Sequence, residues 1–279
     1  MQADLRTIRI AILDLYQGQP NQGMRCIRQI IKEWSEHNNL DVQCQEFDVR
    51  QQNELPDLSF DIYISSGGPG DPLISRFEDW DIAWCKWLKA VTRWNENPES
   101  PDKKYVFFIC HSFQLASRYF NAGIVCPRKS TAFGVFPVHM LDAGKQEPVF
   151  DGLRDPFYAV DSRDHQVIQP NHELLQKTGG KVLAIEKMRA HVPYERAVMA
   201  VRFNEFMIGT QFHPEADAYG MSHHLQTEEK RKTVIENHGE EKLNSMLEQL
   251  NDPDKILWTY SHVLPNFLNQ SVSQLVEAI

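Results

Sequence analysis

The sequence lacks the features that mark secreted, metal-binding, membrane-spanning or nucleic-acid-binding proteins. It has five cysteines, an odd number, and no CxxC pair, so neither a disulfide framework nor a zinc site is expected. No apolar run approaches the roughly 20 residues of a membrane span. The formal net charge is −9, whereas a general nucleic-acid binder needs a basic footprint. The N-terminal apolar stretch contains charges and lacks a small-residue cleavage site, which favours a first strand over a signal peptide.

What is present is the composition of an ordinary globular protein, with 42% hydrophobic and 24% charged residues among 279. Unpaired thiols are typical of a reducing compartment. We therefore expect a cytoplasmic protein with no metal, no cofactor, no nucleic-acid partner and no membrane contact.

The first half of the sequence alternates between two patterns. Continuous apolar runs predict strands buried on both faces, as in a parallel sheet, and apolar residues at helical spacing predict helices. The strands are expected at 6–15, 42–49, 60–65 and 105–109, and the helices at 24–34, 82–94 and 113–120. This alternation predicts an α/β fold with a mostly parallel central sheet and flanking helices. The stripe of Trp80, Trp84 and Trp87 is expected to pack in the core.

After Gly123 the pattern changes to short strands joined by turns, which favours an antiparallel or mixed half of the sheet. The strands are expected at 132–141, 157–160, 181–185, 196–202 and 206–212. Beyond residue 217 the sequence is charged and helical, with helices expected at 223–250, 256–268 and 272–279 and a break at Asp252-Pro253. We predict one domain over residues 1–217 and a helical C-terminal extension, residues 218–279, packed on it.

The segment KYVFFICHSFQLASRYF, residues 104–120, places Cys110 between a buried strand and a helix. A nucleophile at such a corner projects from the sheet edge. The helix N-terminus favours a thiolate, and the following backbone N–H, that of His111, is placed for an oxyanion. The alternative is a small buried hydrophobic residue, which is the usual role of a free cysteine.

The segment FMIGTQFHPEAD, residues 206–217, places His213 and Glu215 two residues apart at a strand end. Side chains two apart on a strand share a face, so one can act as a base while the other orients it. The alternative is a solvated pair at a strand end. We expect His165 at the surface or at a strand edge.

The segment IYISSGGPGDP, residues 62–72, follows a predicted strand with three glycines. Glycines let the backbone approach a ligand closely, and neighbouring N–H groups then supply a second oxyanion donor. The alternatives are a turn without a ligand and a phosphate loop, although the GK[ST] signature of the latter is missing.

Together and in this order, SSGGPGDP, the cysteine corner with Gln114 four residues on, and GTQFHPE resemble the class I, or triad-type, glutamine amidotransferases, such as the glutaminase domain of GMP synthase. The resemblance covers roughly residues 7 to 217 and implies a flavodoxin-like fold. It implies that Cys110 attacks the side-chain amide of glutamine, that His213 transfers the proton and that Glu215 holds His213. It further implies oxyanion donors at Gly68 and His111, and substrate contacts at Gly70, Gln114, Ser162 and Arg163. Water releases glutamate from a thioester, and a separate synthetase chain is the expected ammonia acceptor.

Four positions depart from the family pattern. Phe108 and Ser112 stand where the family has glycines, Ala132 where it often has an acid, and Arg163 where many members have histidine. These departures leave two alternatives open. One is a cysteine-triad hydrolase or acyltransferase acting on a γ-glutamyl compound or a homoserine-type acyl acceptor, and the other is a non-catalytic regulatory module.

Overall fold

The computed structural model describes residues 6–19, 21–189, 195–250, 252 and 255–277. A nine-stranded sheet forms its centre. The strands are β1 (Ile8–Asp14), β2 (Val42–Asp48), β3 (Ile62–Ser65), β4 (Tyr105–Ile109), β5 (Ile124–Met140), β6 (Phe157–Ile168), β7 (Lys181–Glu186), β8 (Val198–Asn204) and β9 (Met207–Thr210). The helices are α1 (Gly23–Asn38), α2 (Asp79–Glu96), α3 (His111–Tyr119), α4 (His172–Lys177), α5 (Ala218–Gln226), α6 (Glu228–His238), α7 (Glu240–Leu250) and α8 (Ile256–Glu277).

The sheet order is β2-β1-β3-β4-β9-β8-β7-β5-β6. The neighbours in the row β2-β1-β3-β4-β9 pair in parallel, and the neighbours in the row β9-β8-β7-β5-β6 pair antiparallel. The α/β class and the change of pattern after Gly123 are therefore confirmed. The strand β9 joins the two halves because it pairs with β4 on one side and with β8 on the other.

Helices cover both faces of the parallel half, which explains why its central strands are apolar on both sides. The helices α1 and α8 pack on one face, where the Phe107 ring lies 5.2 Å from that of Phe267. The helices α2 and α3 pack on the other, where Trp84 is fully buried against Phe108. The tryptophan stripe lies in the core, as predicted.

The tail differs from the sequence prediction in its segmentation. The predicted helix 223–250 is three helices, α5 to α7, which share a small core with residues of β5 and β6 such as Val135 and Val160. The two predicted helices at the end are one helix, α8, which continues through Pro265. Pro253, in the predicted break, and residues 278–279 lie outside the described residues. None of the helices described is long and apolar enough to cross a membrane. The division at residue 217 stays a prediction.

Candidate active site

Three segments meet at the carboxyl edge of the parallel strands. The loop Gly67–Pro72, hereafter the glycine loop, follows β3, while Cys110 follows β4 and the segment 211–215 follows β9. Because β3, β4 and β9 are parallel neighbours, their carboxyl ends lie side by side. This edge is where open α/β sheets place ligands, and the three predicted segments are brought together there.

Cys110 occupies a strained corner between β4 and α3. Its φ of 49° and ψ of −95° are sparsely populated by residues other than glycine. The bond from its own N–H to the Thr210 carbonyl, 2.8 Å, and that from the Gln114 N–H to its carbonyl, 3.1 Å, hold the corner on both sides. Because the latter is the first intrahelical bond of α3, the N–H of His111 has no partner within the helix. The corner therefore presents both a sulfur and a backbone donor.

His213 is partly exposed and pairs with the buried Glu215 beside this corner. The His213 Nδ1 lies 2.8 Å from Glu215 Oε1, and Glu215 is 1% exposed. The His213 N–H donates to the Val160 carbonyl of β6 at 2.8 Å, so His213 forms an isolated β-bridge with β6 beyond the end of β9. Burial opposes a charge on His213, but Glu215 and Cys110 outweigh it and raise the pKa of His213 well above its ordinary value. This arrangement favours an imidazolium beside the sulfur.

The glycine loop passes very close to the end of β1. A Cβ at position 68 would lie 2.3 Å from the Leu15 carbonyl oxygen, so only glycine fits there. The Ser66 hydroxyl accepts from the Leu15 N–H at 2.9 Å and donates to the Gly67 carbonyl at 2.8 Å. Because the N–H and C=O of a peptide point in opposite directions, this bond turns the N–H of Gly68 away from Ser66.

A second brace acts further along the glycine loop. Arg50 donates to the Pro69 carbonyl, so the N–H of Gly70, which belongs to the same peptide, points away from Arg50. Gly70 has a left-handed φ of 106°, which glycine tolerates. Next to this loop, burial together with the charges of Arg50 and Arg118 lowers the pKa of His111 to about 3. The side chain of His111 is therefore neutral at physiological pH.

A cavity of about 720 Å³ opens above these segments. It is lined by all nine residues that the sequence analysis singled out as catalytic, oxyanion-binding or substrate-binding: Cys110, His213, Glu215, Gly68, His111, Gly70, Gln114, Ser162 and Arg163. The Ser162 carbonyl oxygen lies 3.7 Å from the Cys110 sulfur. In the part of the chain that the structure describes, no group of three or more His, Cys, Asp or Glu side chains is arranged to hold a metal ion.

Arg163 lines the cavity, but its guanidinium belongs to a buried charge network. Its Nε lies 2.9 Å from both carboxylate oxygens of Asp161, its Nη2 lies 3.8 Å from Glu186, and the side chain is 1% exposed. The alternation of β6 turns Asp161, Arg163 and His165 to one side and Ser162 to the other. A substrate contact by Arg163 stays a prediction.

The other departures from the family pattern are accommodated locally. The Ser112 hydroxyl accepts from the Ile109 N–H at 2.9 Å and donates to the Ser65 carbonyl at 2.6 Å, so it ties the cysteine corner to β3. Phe108 is fully buried and lies next to Gly209, where a Cβ would come within 3.0 Å of it. Ala132 is buried in β5 opposite Arg163.

His165 was expected at the surface or at a strand edge, and it lies on the edge strand β6 but not at the surface. It is 9% exposed, lines the cavity and has its Nε2 3.3 Å from Asp71 of the glycine loop. Its two-residue spacing from Arg163 on β6 is the signal that would have placed it on the same side. The apolar wall formed by Phe133, Met221 and Val234 was also missed, because nothing local shows that α5 and α6 reach the cavity.

Comparisons with known proteins concern the family and the fold of the chain. The family model for the class I glutamine amidotransferases matches residues 24–232, more than half of the chain. A comparison with curated protein sequences gives no match.

Solved structures share the fold at low sequence identity. A glutamine amidotransferase from Thermotoga maritima has a TM-score of 0.64 and 14% identity over 95% of this chain and 98% of its own. The glutaminase domain of CTPS from Trypanosoma brucei, with bound acivicin, has a TM-score of 0.53 and 16% identity over 75% and 86%. A putative GMP synthase subunit from Thermoplasma acidophilum has a TM-score of 0.50 and 16% identity over 76% and 86%. The fold and the matched family model show that the chain belongs to the class I glutamine amidotransferase family.

Proposed function

We propose that this protein hydrolyses the side-chain amide of glutamine to glutamate and ammonia through a thioester on Cys110. The observation that carries the proposal is the convergence, in one cavity, of a strained, buried cysteine and a histidine paired with a buried carboxylate. A regulatory module without catalysis would have no use for a strained nucleophile, whose backbone conformation costs on the order of 1–3 kcal/mol.

In the first half of the reaction, the Cys110 sulfur attacks the amide carbon and the carbonyl oxygen becomes an oxyanion. The N–H groups of Gly68 and His111 stabilise this charge. The imidazolium of His213 then gives its proton to the departing nitrogen, the C–N bond breaks and ammonia leaves. The role of Glu215 is to keep the ring oriented and charged.

In the second half, His213 is neutral and acts as the base. It takes a proton from water, the resulting hydroxide attacks the thioester carbon, and the C–S bond breaks. Glutamate leaves and the Cys110 sulfur again faces a protonated His213. Atoms and charge balance without a metal or an organic cofactor, so the proposed reaction needs only the residues that line the cavity.

We infer that the ammonia passes to a separate synthetase chain in the cytoplasm. The segment after residue 217 that the structure describes is helical. The name of the Thermoplasma acidophilum structure, a putative synthase subunit, supports such a division of labour. Co-purification with a synthetase, and a rise in glutaminase activity on its addition, would test this inference.

The main test compares ammonia release from glutamine by the wild type and by Cys110→Ala. We expect release to fall to background in the variant, because no thioester can form. Hydroxylamine added to the wild type should divert the thioester to γ-glutamyl hydroxamate. The matched control is Cys85→Ala, which removes a half-buried thiol that does not line the cavity. Full release by Cys110→Ala would refute the proposal.

A second candidate substrate class is γ-glutamyl amides with an apolar group on the amide nitrogen. The cavity volume of about 720 Å³ lies in the upper part of the range for sites of drug-sized ligands, about 300–1,000 Å³, and leaves room beyond a single amino acid. The wall formed by Phe133, Met221 and Val234 gives such a group an apolar contact. A higher kcat/KM for γ-glutamyl-benzylamide, whose leaving amine is not activated, than for glutamine would favour this class, and a lower one would favour glutamine.

A further inference from the structure

The Cys110 sulfur has a protein contact on the side that faces away from the cavity. Gln211, which is fully buried and precedes His213 by two residues, has its Nε2 3.7 Å from this sulfur. Gln211 is absent from the cavity lining. Gln211 therefore contacts the Cys110 sulfur from the protein interior, on the side away from the cavity.

The orientation of the Gln211 amide is fixed by a chain of hydrogen bonds. The Gln114 Nε2 donates to the main-chain carbonyl of His165 at 3.3 Å and to the Gln211 Oε1 at 3.1 Å. A main-chain carbonyl can only accept, so the NH₂ group of Gln114 must face it. The atom of Gln211 that faces this NH₂ group is then the oxygen, and the atom that faces the sulfur is the nitrogen.

Apart from His213, the sulfur has two polar neighbours, and these have opposite preferences. On the cavity side, the Ser162 carbonyl oxygen at 3.7 Å accepts from the thiol but repels a thiolate. On the core side, the Gln211 NH₂ group can only donate, and a donor binds an ionised acceptor more strongly than a neutral one. Ionisation of Cys110 therefore strengthens one of the two contacts, the one to Gln211.

We propose that Gln211 is a further catalytic residue, which donates a hydrogen bond to the Cys110 thiolate, and that Gln114 is the positioning residue that keeps the Gln211 amide turned toward the sulfur. The proposal rests on the proposed function in taking Cys110 as the nucleophile. It assigns to Gln114 a role in the protein interior beside the predicted contact with glutamine.

The test measures alkylation of Cys110 by iodoacetamide against pH, with the adduct located by peptide mass spectrometry. In this reaction the thiolate displaces iodide, so the rate reports ionisation of the sulfur and needs neither glutamine nor an oxyanion site. We expect Gln211→Met, which keeps the volume but removes the donor, to move the pH of half-maximal rate upward by about one unit, a tenfold loss of thiolate at a fixed pH below it. Gln211→Glu should move it further, because a carboxylate oxygen then faces the sulfur.

The matched control is Thr210→Val, which removes a buried hydroxyl one residue away that bonds the Phe212 carbonyl and not the sulfur. It should leave the alkylation profile unchanged. If Gln211→Met does not fold, judged by circular dichroism, Gln211→Glu carries the test, since it retains an acceptor for Gln114. An unshifted profile in a folded Gln211 variant would overturn the proposal. A wild type that releases no ammonia from glutamine would contradict the proposed function and leave this result unaffected.

Discussion

The substitution Gly68→Ala tests whether the glycine loop supplies an oxyanion donor. The added Cβ would lie 2.3 Å from the Leu15 carbonyl oxygen and 2.9 Å from its carbon. Both atoms are backbone atoms at the end of β1 and cannot turn aside as a side chain does. The loop itself must therefore move, and the N–H of Gly68 moves with it.

The size of the expected effect follows from this displacement. An ordinary contact of a Cβ with an oxygen is at least 3.4 Å, so the loop has to shift by about 1 Å, and a misplacement of that size costs about a hundredfold in rate. Loss of one oxyanion donor costs about 10²- to 10³-fold in kcat, or about 2.7–4 kcal/mol. We expect Gly68→Ala to lower kcat for glutamine by a factor within this range.

A coupled glutamate dehydrogenase assay for ammonia gives kcat and KM, and iodoacetamide alkylation of Cys110 reports the nucleophile separately. Alkylation forms no oxyanion, so its rate should be unchanged in Gly68→Ala. The control Gly144→Ala introduces a similar clash, 2.1 Å from the Leu183 carbonyl oxygen, at a position that does not line the cavity. A Gly68→Ala enzyme with wild-type kcat, or a Gly144→Ala enzyme with an equal loss, would refute the oxyanion assignment.

Three further predictions concern charge. Glu215→Gln removes the carboxylate that helps to hold the pKa of His213 high, so the imidazolium should lose its proton at lower pH. We expect kcat/KM to fall by about a hundredfold and the alkaline limb of the pH profile of kcat/KM to move to lower pH. An unmoved alkaline limb would exclude this role of Glu215. Burial raises the pKa of Cys26 to about 12, so iodoacetamide at pH 7 should label Cys110 before Cys26 in a peptide map, and the reverse order would contradict the assigned nucleophile. Arg163→Met removes the guanidinium that pairs with the buried carboxylate of Asp161, whereas Glu186 keeps its ion pair with Arg128. The free energy of unfolding in urea should fall by about 3–5 kcal/mol; a loss confined to KM would instead favour the predicted substrate contact.

The strands and helices of the first half were predictable because their signals are local. β4 was predicted at its observed bounds, 105–109, since a run of five apolar residues directly after Lys104 fits a strand buried on both faces. The order of the strands was not predictable in the same way. β9 lies between β4 and β8 because of pairings between distant parts of the chain, and no short-range pattern encodes them.

The residues of the candidate site also differ in whether a local pattern or long-range packing places them. Cys110, His213 and Glu215 stand out in the sequence because a strand-to-helix corner and a two-residue spacing are local geometries with chemical consequences. The cavity position of His165 and the apolar wall from α5 and α6 depend on how distant elements pack. The sequence analysis allowed His165 either the surface or a strand edge. The residue lies on the edge strand β6, and packing buries it beside the glycine loop.

Local patterns in the sequence single out the residues that we propose for the chemistry, since the proposed nucleophile, the proposed base and the glycine loop each occur in a segment whose local conformation follows from its composition. The neighbours of the Cys110 sulfur, in contrast, depend on how distant strands pair. Gln211 and Cys110 are 101 residues apart, and they meet because β4 and β9 are neighbours in the sheet. Hydrogen bonds are directional and act over about 3 Å, so the donor behind the sulfur becomes visible only when the chain is folded.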